Sequence, residues 1–407
     1  MSPRGWVPVL LSDLVGIKHG FAFPGRGISD EPTGAVLLTP GNFRIGGGFN
    51  GGKLKYFDGD LPEGYILRPG GLIVTMTDLS KNMDTLGYPA WVPNFGTRIA
   101  LHNQRLGLVE LIDKSIDIKF LYYVMCSAGY RNEVMASSTG TTVHHTSPKR
   151  ILNYKFLLPT LPEQRGIAAT LGALDDKIES NRRAQRSTSQ LVDALALKML
   201  DSTETASVPL REVVEFNRVS YKPGDPDESV DYIDIASVSP GRVDAVARTT
   251  WGDAPSRARR GVRDGDVIYS TVRPGRQSYA LILDPIESVV VSTGFAVMSP
   301  SPEIGSSLLT TVAGATDFAA YLKSVAHGSA YPAVSVDAMG NYLVDVPADP
   351  AVAKEFEVST MPLRRRSHLL ESENDALGRL REALLPELLS GRIRVPEAQE
   401  AVAEVSA

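Results

Sequence analysis

From Ile167 the apolar and small polar positions advance by fours and threes, through Leu171, Leu174, Ile178, Asn181, Gln185, Thr188, Val192, Leu195 and Met199. That spacing predicts one long helix with a continuous seam. Thr160 is placed to cap it, with Pro162 and Glu163 in the first turn, where a missing N–H is harmless and a carboxylate meets the positive helix end. Taken from about Glu163 to Leu200, at about 1.5 Å per residue, the helix is roughly 57 Å long. A second stripe, Leu363, Arg366, Leu370, Glu373, Leu377, Leu380, Leu384 and Leu388, predicts another helix, which Gly391 can end. Ile167, Leu171, Leu174, Ile178, Leu370, Leu377, Leu380 and Leu384 are the expected core of this pair.

Before each helix lies a segment of about 150 residues with short apolar runs and turn signals, which reads as mainly β. Asn50-Gly51 marks a hairpin, and Ile118 to Tyr130 a short helical stretch. The two segments repeat each other. Leu11-Ser-Asp-Leu-Val15 resembles Leu210-Arg-Glu-Val-Val214, and Leu67-Arg-Pro-Gly-Gly-Leu-Ile-Val74 resembles Val262-Arg-Asp-Gly-Asp-Val-Ile-Tyr269. Later Gly140, Ser147, Asn153, Tyr154, Pro159 and Pro162 align with Gly328, Ser335, Asn341, Tyr342, Pro347 and Pro350. The order is therefore domain, helix, domain, helix, and the second helix buries its stripe by running antiparallel to the first. Two similar heads on a rod of fixed length suit the reading of two DNA half-sites, whose separation must be set. A coiled-coil spacer between two binding modules gives the same pattern.

A chain of 407 residues is long enough for two or three packed domains. Its one cysteine, Cys126, permits no internal disulfide, which suits a reducing compartment, and no apolar run approaches the roughly 18 residues of a membrane span. A cytoplasmic location is expected. The net charge of −5 is unevenly spread: residues 1–160 carry +4 and residues 206–350 carry −6. A basic face can therefore exist locally, while strong non-specific binding to polyanions is not expected.

The chain has no G-x-x-x-x-G-K-[ST] loop for nucleotide phosphates and no Asn-Pro-Pro-aromatic run of an adenine methylase. Gly46-Gly-Gly-Phe-Asn-Gly51 fits G-x-G-x-x-G formally, but no helix is expected after it, and a hairpin loop is the better reading. His144 and His145 face opposite ways on a strand and have no Cys or carboxylate cluster near them, so no metal site is expected.

The segment LPTLPEQRGIAATLGALDDKIESNRR, the opening WVPVLLSDLVGIKHGFAF, the loops TGTTVHHTSPKRI and HGSAYPAVSVDAM, and the ending LREALLPELLSGRIRV resemble the specificity subunit of type I restriction-modification enzymes. The resemblance covers nearly the whole chain. It departs at Asp349-Pro-Ala-Val-Ala-Lys-Glu-Phe356, where "P…EQ…I" is expected.

The resemblance implies an α+β fold with two repeated mixed α/β target-recognition domains, separated by two long helices packed as an antiparallel coiled coil with pseudo-two-fold symmetry. The domain bounds are 1–160 for the first recognition domain, 161–205 for the central helix, 206–350 for the second, 351–395 for the distal helix and 396–407 for a tail. It implies a non-enzymatic subunit that reads a bipartite double-stranded DNA target and docks two methylase subunits. The partners bring S-adenosylmethionine, ATP and Mg, with a restriction subunit for translocation and cleavage; this chain binds no cofactor.

DNA-contact candidates are loop residues able to donate to phosphates or base edges. In the first domain these are Lys18, Phe23, Arg44, Lys53, Lys55, Lys81, Asn82, Thr141, His144, His145 and Lys149. In the second they are Arg218, Lys222, Arg257, Arg259, Arg260, Arg273, Arg276, Ser329 and Tyr331. Ser270-Thr-Val-Arg273 matches Thr75-Met-Thr-Asp78 in the repeat, so the same loop of each domain is expected to approach DNA. Glu163, Gln164, Arg165, Asp176, Pro386, Glu387 and Leu388, at outward positions of the helix ends, are the candidates for partner docking. Two other readings remain open: a free-standing bipartite DNA-binding regulator and a coiled-coil scaffold for proteins.

Overall fold

The computed structural model describes residues 5–222, 224–286, 288–328 and 331–406. Its helices are α1 (Ile118–Cys126), α2 (Ala128–Ala136), α3 (Pro148–Leu152), α4 (Leu161–Ser202), α5 (Leu210–Val213), α6 (Gly305–Gly314), α7 (Thr316–Val325), α8 (Val336–Gly340), α9 (Pro350–Ser390) and α10 (Val395–Ser406). The chain divides into two compact units, Met1–Glu179 with Asn374–Ala407, and Ser180–Glu373. The helices α4 and α9 each contribute residues to both.

In the first unit an antiparallel sheet runs in the order Val15–His19, Leu106–Leu111, Leu72–Thr75, Pro89–Trp91. A mixed sheet runs Ile28–Ser29, Lys55–Phe57, Ala35–Leu38, Ala100–His102, Ile66–Leu67, with its parallel pair, Ala35–Leu38 and Ala100–His102, inside. Ala35–Leu38 is apolar at every position because both of its faces are covered: Val36 and Leu38 join Phe43, Leu67 and Ile73, while Ala35 and Leu37 join Phe23, Phe57 and Leu101. Strands Val7–Leu10 and Lys155–Leu158 pair antiparallel.

The seam expected from the 3–4 spacing is the core of this unit's helix pair. Ile167, Leu171, Leu174 and Ile178 of α4 pack with Leu377, Leu384 and Leu388 of α9 and with Phe120, Leu121 and Tyr123 of α1, and Leu380 packs against the same cluster. Asp175 Oδ1 lies 2.8 Å from Arg381 Nη1 and Glu163 Oε1 lies 2.6 Å from Arg394 Nη1, so the partner numbers run in opposite senses, as antiparallel packing requires. Thr160 and Glu163 close the N-terminus of α4, with Thr160 N–H and Oγ1 donating to Glu163 Oε2 at 3.3 and 3.0 Å. Gly391, with φ +69°, ends α9, and Arg392 N–H donates back to Glu387 O at 3.0 Å.

The second unit repeats this wiring. Its antiparallel sheet is Val214–Phe216, Phe295–Pro300, Val267–Ser270, Tyr279–Leu281, and its mixed sheet is Ala247–Thr250, Ser229–Ile233, Val289–Ser292, Ala258–Gly261, again with the parallel pair inside. Thr205–Pro209 pairs with Leu343–Pro347 as Val7–Leu10 pairs with Lys155–Leu158. Each unit then places two helices, a one-turn helix and a long helix in the same order. The polar stretch of the seam is satisfied here: Asn181 Nδ2 donates to Glu373 Oε2 and Gln185 Nε2 to Ser367 O, both at 3.0 Å. Beyond Val192 the buried row moves to Ala196, while Leu195 is exposed; α6 and the strands behind it, not α9 alone, set the buried face of this turn.

The hairpin lies elsewhere than Asn50-Gly51. Phe43 bridges Phe49 antiparallel, Arg44 N–H donates to Gly48 O at 2.9 Å, and the chain reverses through Gly46 and Gly47, both at positive φ. A Cβ on Gly47 would come within 2.6 Å of Cys126 Sγ, so the reversal requires glycine against α1. Asn50 instead forms a local turn, its Oδ1 accepting from Gly52 N–H.

Candidate functional site

Each unit has a paired loop at the same place in its topology. In the first, strand Thr77–Asp78 pairs with His144–His145, Thr146 N–H donates to Met76 O, and Thr139 bridges His145. In the second, Val272 bridges Ala333, Val334 N–H donates to Thr271 O, and His327 bridges the same Ala333. A hydroxyl locks each turn: Thr75 Oγ1 donates to Thr77 O at 3.0 Å, and Ser270 Oγ to Val272 O at 2.8 Å. Gly140 and Gly328, aligned in the repeat, both have positive φ. The correspondence expected between 75–78 and 270–273 is therefore structural.

The first loop is held from within. Asp78 is buried and accepts from Ser80 N–H, Thr85 N–H and Thr85 Oγ1 at 2.6, 2.5 and 2.6 Å. Burial alone would raise its carboxyl, but the hydrogen bonds from Thr85 and Ser80 outweigh it and hold the group below the ordinary carboxylate value. Arg131, also buried, donates to Met83 O at 2.8 Å and stacks 4.0 Å from the Tyr88 ring centroid. This frame presents Lys81 and Asn82 to solvent, with Thr141 and Lys149 exposed nearby in sequence to the paired strand. His145 Nδ1 lies 3.1 Å from Thr77 Oγ1, and His144 is half-buried. Asp78 and Arg131 were not among the sequence candidates; the Asp-x-Ser turn signal at 78–80 could have found the first, while nothing local marks the second.

The second loop is held by its backbone. Arg273 and Gln277 both adopt the left-handed conformation, Arg273 N–H donates to Pro332 O at 2.7 Å, and Tyr269 Oη donates to Pro274 O at 3.1 Å. The Arg273 guanidinium lies over the Tyr331 ring, and Arg276 is exposed beside it in the turn. Ser329 lies outside the described residues.

The other candidates are dispersed. Lys18 Nζ donates to Gly64 O at 2.6 Å and sits over Tyr65; Lys55 pairs with Asp30 at 2.6 Å; Arg44 lies 3.7 Å from Glu179; Lys53 and Lys222 are exposed. Arg218 lies 3.7 Å from Glu215, Arg257 is exposed, and Arg259 donates to Ala258 O and approaches Trp251. Two candidates are corrected. Phe23 is 8% exposed, its ring packed on Phe57 in the core rather than presented to a ligand. Arg260 is half-buried and donates to Asn217 Oδ1 and Phe295 O, so its donors fasten two strands together.

Among the docking candidates, Arg165, Asp176 and Pro386 are exposed; Glu163 is engaged by Thr160 and Arg394, and Glu387 pairs with Arg392 at 2.6 Å. Gln164 and Leu388 are not outward. Gln164 is fully buried, accepting from Asp117 N–H at 2.7 Å and donating to Ser115 O and Pro159 O at 2.9 and 2.8 Å; it anchors the segment that opens α1. Leu388 is 1% exposed in the helix-pair core and borders a cleft of about 150 Å³ with Trp6, Ile167 and Val395. In the second unit the departed helix start finds another anchor. Glu357 Oε2 accepts from Ser307 N–H in α6, and Arg364 donates to Ser307 and Thr311, all at 2.8 Å.

No group of three or more His, Cys, Asp or Glu residues able to hold a metal lies among the described residues, and no helix is long and apolar enough to cross a membrane.

The sequence profile of the type I restriction modification DNA specificity domain matches residues 3–187. The chain is 28% identical over 178 residues to the EcoBI specificity subunit of Escherichia coli, covering 44% of this chain and 34% of that protein. It is 32% identical over 193 residues to the MjaVIII specificity subunit of Methanocaldococcus jannaschii, covering 44% of this chain and 42% of that protein. The matched segments thus span less than half of these relatives. In fold, the chain is similar to the S subunit of a type I restriction-modification system from M. genitalium, with a TM-score of 0.59, 16% identity, and coverage of 96% of this chain and 99% of that one. Residues 3–187 thus match the type I restriction modification DNA specificity domain, and the chain as a whole shares the fold of that S subunit.

Proposed function

We propose that the protein is the non-catalytic DNA-recognition subunit of a type I restriction-modification assembly, each unit reading one half of a split target. The observation that carries this is the repeated loop pair: 76–86 with 139–146, and 271–277 with 327 and 331–334, each set beyond the same strand of the same sheet. A single recognition element needs no second copy, whereas a target of two half-sites does.

Residues 1–160 and 206–350 are then the two recognition domains, and 161–205 with 351–395 the helical rod that sets the spacer, with 396–407 beyond it. DNA contacts are assigned to the exposed donors Lys81, Asn82, Thr141, Lys149, Lys53, Lys222, Arg257, Arg276 and Tyr331 and to the half-exposed Arg273, on the loop pairs and flanking surface. The half-exposed Lys18, Arg44, Lys55, His144 and Arg259, with the exposed His145 and Arg218, serve as flanking phosphate contacts. Two methylase subunits dock at the helix ends through Arg165, Asp176, Pro386 and the rims formed by Glu163 and Glu387. They supply S-adenosylmethionine and the adenine chemistry, and a restriction subunit supplies ATP- and Mg-dependent translocation and cleavage.

The test is co-expression with the methylase subunit of a type I system, followed by mapping of methylated adenines across the host genome. A split motif of two short half-sites with one fixed gap is expected. A stable co-purified complex that leaves DNA unmethylated would favour the scaffold reading instead.

A further inference from the structure

Where the repeat aligns Asp78 with Arg273, the two units use the position in opposite ways. Asp78 is turned inward beneath its loop, whereas Arg273 is half-exposed on a backbone with φ +50° and ψ +55°, a conformation that residues with a Cβ rarely adopt. The surroundings impose it. Arg273 N–H donates to Pro332 O at 2.7 Å, Arg276 N–H donates back to Arg273 O at 2.9 Å, and Gln277, also left-handed, donates to Pro274 O at 3.0 Å. Strain of this kind persists where neighbouring contacts over-determine it, and it concentrates at ligand-binding positions. The side chain is fixed as well: its guanidinium carbon lies 4.7 Å from the centroid of the Tyr331 ring, and Tyr331 is 71% exposed.

We propose that Arg273, seated on Tyr331, reads a guanine in the half-site of the second unit. This rests on the bipartite reading above and adds a base and a residue to it. A phosphate contact needs charge alone, which a mobile lysine supplies; reading guanine O6 and N7 needs a planar fork held in one orientation. An aromatic face restrains a guanidinium without consuming its in-plane N–H donors, so the ring fixes the fork and leaves it open to a base edge. The matching position of the first unit is the buried Asp78, so no arginine stands on a ring there, although Arg98 lies over Tyr56 elsewhere in that unit. Its corresponding loop offers Leu79, which is 67% exposed, with Lys81 and Asn82, a set suited to a thymine methyl and an adenine edge.

The experiment uses the co-expressed complex with methylase and a plasmid library randomised through the second half-site, read by sequencing methylated molecules. The wild-type complex is expected to require one G·C pair in that half. Arg273→Ala should accept any pair there, with discrimination falling roughly ten- to hundred-fold, while the first half-site and the salt dependence stay as they were. Tyr331→Phe keeps the ring and should keep the motif; Tyr331→Ala should relax the same position. A uniform loss across all sequences with Arg273→Ala, accompanied by a salt slope lowered by about one, would make Arg273 a phosphate contact and overturn the proposal. A wild-type second half-site without guanine also overturns it. Failure of the bipartite reading itself shows differently, as a wild-type complex with no split motif.

Discussion

Gln164→Ala separates anchoring from docking at the start of α4. The substitution removes one acceptor and two donor contacts, those to Asp117 N–H, Ser115 O and Pro159 O. At about 1 kcal/mol for each net hydrogen bond, and little relief from water because Gln164 is fully buried, the loss is ~3 kcal/mol. For a unit of about 210 residues this lowers the melting temperature by roughly 6–12 °C. The damage should be local first. Asp117 caps α1 through Lys119 N–H and Phe120 N–H, so those two amides should lose hydrogen-exchange protection before the sheet does. Gln164→Glu, which places an acceptor opposite two carbonyls, should be at least as harmful. Arg165→Ala and Asp176→Ala, both exposed, should shift stability by no more than about 0.5 kcal/mol. Thermal unfolding of all four variants, with co-purification of the methylase subunit, is the assay. Unchanged melting of Gln164→Ala together with lost co-purification would refute the anchoring argument.

Three further outcomes are expected. Burial holds the His102 imidazole at about 4 against an ordinary 6.5, and Nε2 donates to Leu106 O at 2.9 Å while Nδ1 is buried without a hydrogen-bond partner. The unfolded chain therefore takes up a proton below 6.5 that the folded one refuses until about 4, so this contribution is full above pH 6.5 and falls by ~3 kcal/mol down to pH 4. Denaturant midpoints should follow that slope in wild type and flatten in His102→Leu; a flat wild-type profile would exclude it. Leu388→Ala, in a 1% exposed position, should cost about 2–5 kcal/mol in unfolding free energy, and a change below 1 kcal/mol would mean that the helix pair closes without it. Asp78→Asn should loosen the loop that carries Lys81 and Asn82, relaxing one half-site with little change in global stability; a change in the other half-site would contradict the frame assigned to Asp78.

The helix pair and the internal repeat were legible in the sequence because their signals are long. A 3–4 periodicity over dozens of residues outweighs any local exception, and matched turns before each long helix set the repeat register. Short signals failed where a distant partner decides. The chain reverses at Gly46-Gly47 because α1 stands behind Gly47, not at the locally stronger Asn50-Gly51. Leu195 fits the heptad, yet the second unit's core selects Ala196. Gln164 and Leu388 read as outward on an isolated helix, but α1's opening segment and the cluster around Trp6 cover them. Arg260 looks like a surface cation until Asn217, 43 residues away, accepts from it. The Arg273 and Tyr331 pairing was within reach, since the repeat singled out the loop, but its left-handed backbone carries no glycine to announce it.

The central claim, one unit for one half-site, is tested most directly by methylation motifs of two variant complexes, Lys81→Ala with Asn82→Ala, and Arg273→Ala with Arg276→Ala. The account predicts that each pair degrades one half of the split motif, a different half in each case, with the gap unchanged. Either pair altering both halves or the gap, or both pairs altering the same half, would contradict it.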